Sequence, residues 1–349
     1  MKIHSLFRDP TAVVVSKTEL ANPVCGEDYR LASHRVLSAI AFELDGEKLV
    51  IKPNVTIGES YADPNSGITT HPGFVHGMID YFLQHGVRSR GVYLLEDPRN
   101  SDDNVPRDWK GTGYGEVAEA TGAKLRCPSD YNCVKVEVPQ AFAHTRINVS
   151  RLAVGPDTVF INVPKLKTHN LAITTLCMKN LMGVVNTVDR HYCRQAWLEL
   201  PEEMRDTKAR GNERMDATLH GLWQKGLARR LVDTAQVATP HFNLIEGVVG
   251  RDGTGFRQGR NFRVGLAIGG TNMVAVDSVA SYLMGFDPGK LIYLSLAAEA
   301  GLGINDLERL RVYTVKNGAL DRCTDVDALK IDPPFQVINK VEDDAITSR

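Results

Sequence analysis

The chain lacks the local signatures that announce a cofactor. Its six cysteines (Cys25, Cys127, Cys133, Cys177, Cys193 and Cys323) are scattered without a C-x-x-C pair. That argues against a zinc ribbon or an iron–sulfur cluster built from neighbouring ligands, and the thiols read as reduced and mostly structural. A Walker A loop is missing, and so is G-x-G-x-x-G in a strand–turn–helix context. H-E-x-x-H and two-histidine-one-carboxylate patterns are missing too. No metal ligand is assigned, and a metal stays open if the fold gathers His71, His169, His191, Glu96 and Asp97.

Charge of one sign is also lacking. With 41 basic against 42 acidic side chains there is no global field to attract nucleic acid or an anionic membrane. Neither is expected as a partner. The start, Met1 to Pro10, has no apolar h-region, and no stretch reaches the roughly 18 apolar residues that a spanning helix requires. The expectation is a soluble cytoplasmic protein. Internal repeats and low-complexity tracts are likewise missing.

What is present suffices for a large core: 349 residues, 43% of them hydrophobic and 24% charged, with ordinary glycine and proline content. Lys48-Leu-Val-Ile-Lys52 reads as a compact strand ending at Pro53-Asn54. Pro72 to His85 carries Phe74, Val75, Met78, Ile79 and Phe82 at helical spacing and stops at Gly86. Gly91 to Leu95 is the next strand, closing on Glu96-Asp97. Strand, helix, strand is a βαβ unit, so the fold class is α/β: a mostly parallel sheet flanked by helices, in one domain or two lobes.

Further elements are a helix near Gly113 to Ala120, a strand around Val134 to Val138, and a strand Thr158 to Asn162 bounded by Pro156 and Pro164. A helix Leu219 to Val237, a strand Phe242 to Ile245 and a helix Val274 to Met284 follow. The charged stretch between Arg194 and Arg214 reads as a solvated helix–loop excursion or a lid, with surface padding the simpler reading.

The densest polarity runs from Asn162 to His191, where a buried strand should surface, and ligands of open α/β sheets collect at such carboxyl ends. Lys165, Lys167 and His169 alternate, so in extended backbone they point to one side. With Leu171 to Met182 read as helical, Thr175 and Lys179 lie one turn apart, and Asn180 completes an anion cradle with Lys179. Arg190 adds a further cation. The functional reading is a site for a carboxylate, phosphate or enolate-like oxygen, with His169 shuttling a proton. The bland alternative is a solvated basic loop.

A second group sits at strand ends of the first βαβ unit: Lys52, Asn54, Thr69, Thr70, His71, Glu96 and Asp97. Thr69 or Thr70 is expected to cap the helix entering at Pro72. His71, so close to a helix start, suits a neutral imidazole better than a cation, with a catalytic and a structural role both open. Gly253 and Gly255 belong to a glycine-rich loop whose amides either approach a ligand or make tight turns. Asp277 opens an apolar helix, as helix electrostatics or as a partner orienting a lysine or histidine. Cys177 reads as core.

Taken in order, Lys52-Pro53-Asn54, Thr70-His71-Pro72, Pro164-Lys165-Leu166-Lys167-Thr168-His169, Lys179-Asn180-Leu181-Met182-Gly183, Val274-Ala275-Val276-Asp277 and Gly285-Phe286-Asp287-Pro288 resemble domain-of-unknown-function family 362. The resemblance spans roughly residues 48 to 312. It implies an α/β domain with these lysines, histidines and aspartate at a shared site, without a settled reaction. Some members append a ferredoxin-like cysteine cluster, which this sequence lacks. Gly253-Thr-Gly255-Phe256 stands here where the family usually shows Gly-Pro, and Glu246 where Asp is usual.

The division expected is an N-terminal extension (1–45), the family-like domain (46–315) with a charged excursion near 194–216, and a C-terminal tail (316–349). Two functions are carried forward. The first is an enzyme that binds a small anionic metabolite and performs cofactor-independent proton transfer, elimination or isomerisation. Lys165, Lys179, His71, His169 and Asp277 would be its catalytic candidates, and Lys52, Asn54, Thr70, Lys167, Thr175, Asn180, Arg190, Gly253 and Gly255 would bind substrate. A lysine Schiff base is open to it if one lysine is desolvated enough to lower its pKa. The second is a non-catalytic anion- or metal-binding accessory protein linked to redox metabolism. A homo-oligomer is compatible with either.

Overall fold

A computed structural model describes residues 1–44, 48–56, 63, 65–98, 109, 111–128, 133–205 and 217–339. The last part of the charged excursion (206–216) and of the C-terminal tail (340–349) lies outside the described residues. In chain order the elements are β1 (Ala12–Lys17), α1 (Gly26–Ala39), β2 (Lys48–Pro53), α2 (Pro72–Gln84), β3 (Val92–Leu95), α3 (Tyr114–Thr121), β4 (Lys124–Arg126), β5 (Cys133–Glu137) and β6 (Arg146–Ser150). Then come α4 (Arg151–Val154), β7 (Thr158–Val163), β8 (Lys165–His169), β9 (Ile173–Thr174), α5 (Cys177–Asn180), α6 (Tyr192–Leu198) and α7 (Ala217–Val237). β10 (Phe242–Arg251), β11 (Asn261–Gly270), α8 (Met273–Leu283), α9 (Ile292–Glu299), β12 (Arg311–Lys316) and β13 (Ala319–Arg322) complete the order.

The main sheet runs β13-β12-β1-β11-β10-β7-β2-β3-β4, with β8 branching from β10 and carrying β9. From β10 to β4 every neighbouring pair is parallel, and β1 pairs parallel with β12; β11 and β13 run against their partners. The protein is thus α/β with a mostly parallel sheet. Its strands are apolar on both faces because helices cover both. Leu49 and Ile51 enter the core beneath α1 and α2, while Val50 between them enters the core beneath α7, α8 and α9. Each alternation of the strand therefore feeds a different hydrophobic layer.

Local chemistry sets the element ends. Pro72 occupies the first turn of α2, and His71 is its N-cap, accepting the Gly73 N–H at Nδ1 (3.0 Å). The cap is thus His71, not Thr69 or Thr70. Thr70 Oγ1 instead accepts the Asn54 N–H (3.0 Å) and donates to the Val163 carbonyl (2.8 Å), tying β2 to β7. Asn272 caps α8 with two backbone bonds of 3.0 Å.

Three expectations are revised. The N-terminal 45 residues are no appendage: β1 lies between β12 and β11, with Ala12 to Ser16 fully buried. The C-terminal stretch is also integrated, since β13 pairs with β12, Phe335 is buried against Phe262, and Val337 bridges to Gly253. Leu171 to Met182 is not one helix. Ile173 and Thr174 form a strand, with Ile173 at φ 67, and only Cys177–Asn180 is α-helical. Pairing of β9 with β8 outweighs the local apolar periodicity there. The strand expected around Val134 is present as β5, which pairs with β6 in a separate antiparallel ladder.

Among the described residues, no helix is long and apolar enough to cross a membrane.

Candidate functional site

The chain order β2, β3, β4 proceeds outward on one side of β2, and β7 then returns to the other side before β10 continues outward. The sheet therefore has a topological switch point between β2 and β7, where open α/β sheets bind ligands at their carboxyl ends. Lys52 and Asn162 are register partners across that point, and Asn243 of β10 is the register partner of Asn162. Three polar side chains thus stand in a row on adjacent strands.

Asn180, at the end of α5, joins the row. Its Nδ2 donates to Asn162 Oδ1 (2.8 Å) and to the Lys52 carbonyl (3.3 Å), while its Oδ1 accepts from Lys52 Nζ (2.9 Å). Asn162 Nδ2 donates onward to the Cys177 carbonyl and to Asn243 Oδ1, each at 3.0 Å. An amide network of this kind holds its members in one arrangement, although Asn243 Nδ2 has no hydrogen-bond partner among the described residues. Asp277 holds the other end of α5: its carboxylate accepts the Cys177 N–H (2.7 Å) and the Met178 N–H (3.0 Å). Burial nevertheless pushes its carboxyl up to about 7. Asp277 acts on the backbone that presents Lys179 and Asn180, and it makes no hydrogen bond to a lysine or histidine among the described residues.

Lys52 is 0% exposed, and its ammonium meets the Glu96 carboxylate, with Pro53 O as a further acceptor (2.8 Å). Burial drives Lys52 down and Glu96 up, so their affinities for the shared proton converge, while the contact itself favours the ion pair. Beside them Arg190 pairs with Asp97 (2.9 Å), and Thr187 also donates to Asp97 (2.8 Å). Gly183 makes the packing possible. A Cβ there would sit 2.4 Å from Glu96 Oε2 and 2.6 Å from Lys52 Cε.

These groups form one wall of a cavity of about 380 Å³. Asn54, Glu96, Asp97, Thr175, Lys179, Asn180 and Arg190 supply polar lining, and Trp197 and Trp223 supply apolar lining. The two indoles meet edge to face at 4.9 Å. Two of the chain's three tryptophans therefore face this space. Asn54 Oδ1 is buried without a hydrogen-bond partner among the described residues, leaving an acceptor unsatisfied at the cavity. Lys179 is half-buried, and among the described residues its ammonium has no carboxylate partner. Desolvation holds it below the usual lysine range.

Five predicted positions thus share the cavity lining: Asn54, Thr175, Lys179, Asn180 and Arg190. Lys52 lies directly behind it through Glu96 and Asn180. Lys165 and His71 belong to a second polar cluster. Lys165, also 0% exposed, pairs with Glu246 (2.5 Å) and lies over the Tyr29 ring (5.4 Å). Glu246 also accepts the backbone N–H groups of His71 (3.2 Å) and Val248 (2.8 Å), while the His71 ring stacks on Tyr29 at 4.0 Å.

Lys167, 4% exposed, donates to the Ile68 carbonyl (2.6 Å). Burial and its cationic neighbours Lys179 and Lys165 hold it well below the usual range. Because these lysines are buried, the basic run is no solvated loop. His169 accepts two backbone N–H groups at Nδ1, from Leu171 (3.0 Å) and Ala172 (3.2 Å). Desolvation, Lys179 and Lys167 keep its ring neutral, with the proton on Nε2. Gly253 and Gly255, at φ 76 and 80, shape the loop against β8: Thr168 Oγ1 donates to the Gly253 carbonyl (2.8 Å), and a Cβ at Gly255 would meet the Thr168 carbonyl at 2.0 Å. Among the described residues no three His, Cys, Asp or Glu side chains converge on a metal position.

Sequence reasoning did not list Glu96 and Gly183 as site residues, and it passed over Trp197 and Trp223. Glu96 was visible as a carboxylate at a strand end. The tryptophans are scarce enough to have marked the region, but they flank a stretch whose charge suggested solvent.

Residues 49–282 match the family described as Domain of unknown function (DUF362). This protein belongs to that family. The thylakoid-associated protein sll1697 of Synechocystis sp. is 28% identical over 273 residues, which cover 76% of this chain and 70% of that protein. A crystal structure of a Thermotoga maritima protein aligns with 80% of the chain at a TM-score of 0.41 and 10% identity. The chain spans 60% of that protein's length. The match to DUF362 includes the switch-point row, the Lys52–Glu96 and Lys165–Glu246 pairs, and Asp277.

Proposed function

We propose that this protein is an enzyme for a small anionic metabolite, a carboxylate or phosphate, and that it performs proton transfer, elimination or isomerisation. The observation that carries the reading is the presence, in the lining of one cavity, of a partly desolvated Lys179 and of a Glu96 whose affinity for protons is raised and whose proton is shared with Lys52. In this reading Lys179 and the rim cation Arg194 hold the anion, and Glu96 takes or returns a proton. The Asn54 carbonyl oxygen accepts a substrate hydroxyl or amide. The indole wall excludes water and strengthens each of these contacts. With no disulfide among the described residues, the six cysteines suit a reducing compartment, and we take the cytoplasm as the place of action.

The two wall tryptophans supply the test. Titration of the full chain with small carboxylates and phosphates, followed by indole fluorescence, is expected to give saturable quenching that Lys179→Met abolishes. For ligands that quench, proton exchange at the carbon beside the carboxylate, followed by NMR in deuterated water, separates the two functions carried forward. Exchange lost in Glu96→Gln supports catalysis, and binding without exchange supports an anion-binding protein. Absence of quenching by any anion of either class overturns the reading.

A further inference from the structure

Of the cations that line the cavity, Arg190 and Lys179 have different surroundings. Arg190 is committed to Asp97, by its side chain at 2.9 Å and its carbonyl at 3.3 Å. Lys179 has no such commitment among the described residues. It sits at the end of a short helix whose N-terminus is pinned by Asp277 and whose Asn180 is locked into the amide network. The amine is therefore carried on a fixed backbone, with water partly excluded. Its electrostatic neighbours are Lys167 and His169 on β8 and the Cys193 thiol on α6. A lysine whose task is to hold charge is served by a carboxylate or carbonyl nearby, whereas one kept among cations and apolar walls is kept ready to lose its proton.

We propose that Lys179 is a nucleophilic amine, so that the substrate class of this site is a small carbonyl compound bearing a carboxylate or phosphate. The proposal rests on the anion-binding reading above. The neutral Nζ attacks the carbonyl carbon, forming a C–N bond; the carbonyl π pair moves to oxygen, which takes the proton that the nitrogen gives up. The resulting hydroxyl leaves as water on accepting a proton from Glu96, and the nitrogen lone pair forms the iminium. Amine, carbonyl and one proton thus give iminium and one water, without oxidation or reduction. The iminium then draws electrons from the adjacent carbon, whose proton passes to the Glu96 carboxylate. Lys52 can return a proton to that carboxylate, because the two share one hydrogen bond.

The probes are pyruvate and glyoxylate, incubated with the full chain and cyanoborohydride, which reduces an iminium to a stable secondary amine. Peptide mass spectrometry should find the adduct on Lys179, formed faster than on exposed lysines such as Lys316, since a lowered pKa leaves more of the amine neutral. Lys179→Arg should retain quenching by the anions while losing the adduct. Lactate, which has no carbonyl, should quench without ever being trapped. Quenching by pyruvate with no Lys179 adduct, or labelling no faster than at Lys316, overturns the nucleophile and leaves the anion site standing. Loss of quenching by every anion overturns both.

Discussion

The side chains of Lys52 and Glu96 meet at the carboxyl ends of two adjacent parallel strands, with the Cα of Gly183 packed directly over their contact. The pair connects the interior of the sheet to the cavity, because Glu96 lines the cavity and Lys52 does not. Removing one partner strands a buried charge. Lys52→Met or Glu96→Gln is expected to cost about 3–5 kcal/mol at neutral pH, and the double variant is expected to recover part of that loss. Urea unfolding of the three variants measures the coupling, and additive losses would show that the pair has none.

Gly183 tests the same contact without altering charge. Its added Cβ would fall 2.4 Å from the Glu96 oxygen, so Gly183→Ala must push Glu96 or Lys52 aside. The expected cost is about 1–3 kcal/mol, with proton exchange on bound ligand reduced more than binding itself. Comparing quenching titrations with exchange rates separates the two effects. An unchanged exchange rate would remove Glu96 from the chemistry.

Asp277 gives a pH dependence with a definite sign. Its carboxyl is pushed from 3.8 to about 7 in the fold. Between those values the native state holds a proton that the unfolded chain has released. Stability from this group is therefore full below about pH 4 and falls as pH rises to 7, by at most about 4 kcal/mol. Asp277→Asn, which also loses one of the two backbone acceptors, should be less stable at low pH and should lack this slope. Urea midpoints at pH 5 and pH 8 for both proteins decide it; equal slopes would refute the assignment.

His169 is expected to stay neutral through the physiological range, since desolvation and the cations Lys179 and Lys167 hold it well below its usual value. Ligand binding should show no step near pH 6.5 that His169→Asn removes. His169→Ala, which orphans the N–H groups of Leu171 and Ala172, should cost about 1–3 kcal/mol. NMR titration of the imidazole carbon resonances reads the ring directly. A His169 titration above pH 6 would contradict the neutral assignment.

Much of the frame could be read from residues alone. Lys48 to Lys52, Pro72 to His85 and Thr158 to Asn162 announced β2, α2 and β7, because apolar periodicity and proline positions act within a few residues. The same local rules placed Lys52 and Asn54 at a strand end, where a parallel sheet gathers ligands, and Asn180 and Arg190 in the polar run that follows another. They misjudged Leu171 to Met182, whose apolar spacing suits a helix that β9 pairing and the Asp277 cap cut short. They also treated residues 1–45 as an extension, although β1 occupies the interior of the sheet.

Sequence by itself determined the α/β class, the family and the supply of buried-capable lysines, since these follow from spacing and residue type. Only the tertiary structure decided which carboxylate meets which lysine, because Glu96 lies 44 residues from Lys52 and Glu246 lies 81 from Lys165. It also decided that Lys179 stays without such a partner among the described residues, and that two tryptophans on separate helices close the same cavity. Burial and pairing are properties of the packed chain: a side chain's charge is printed in its sequence, but the cost of keeping that charge is set by what surrounds it.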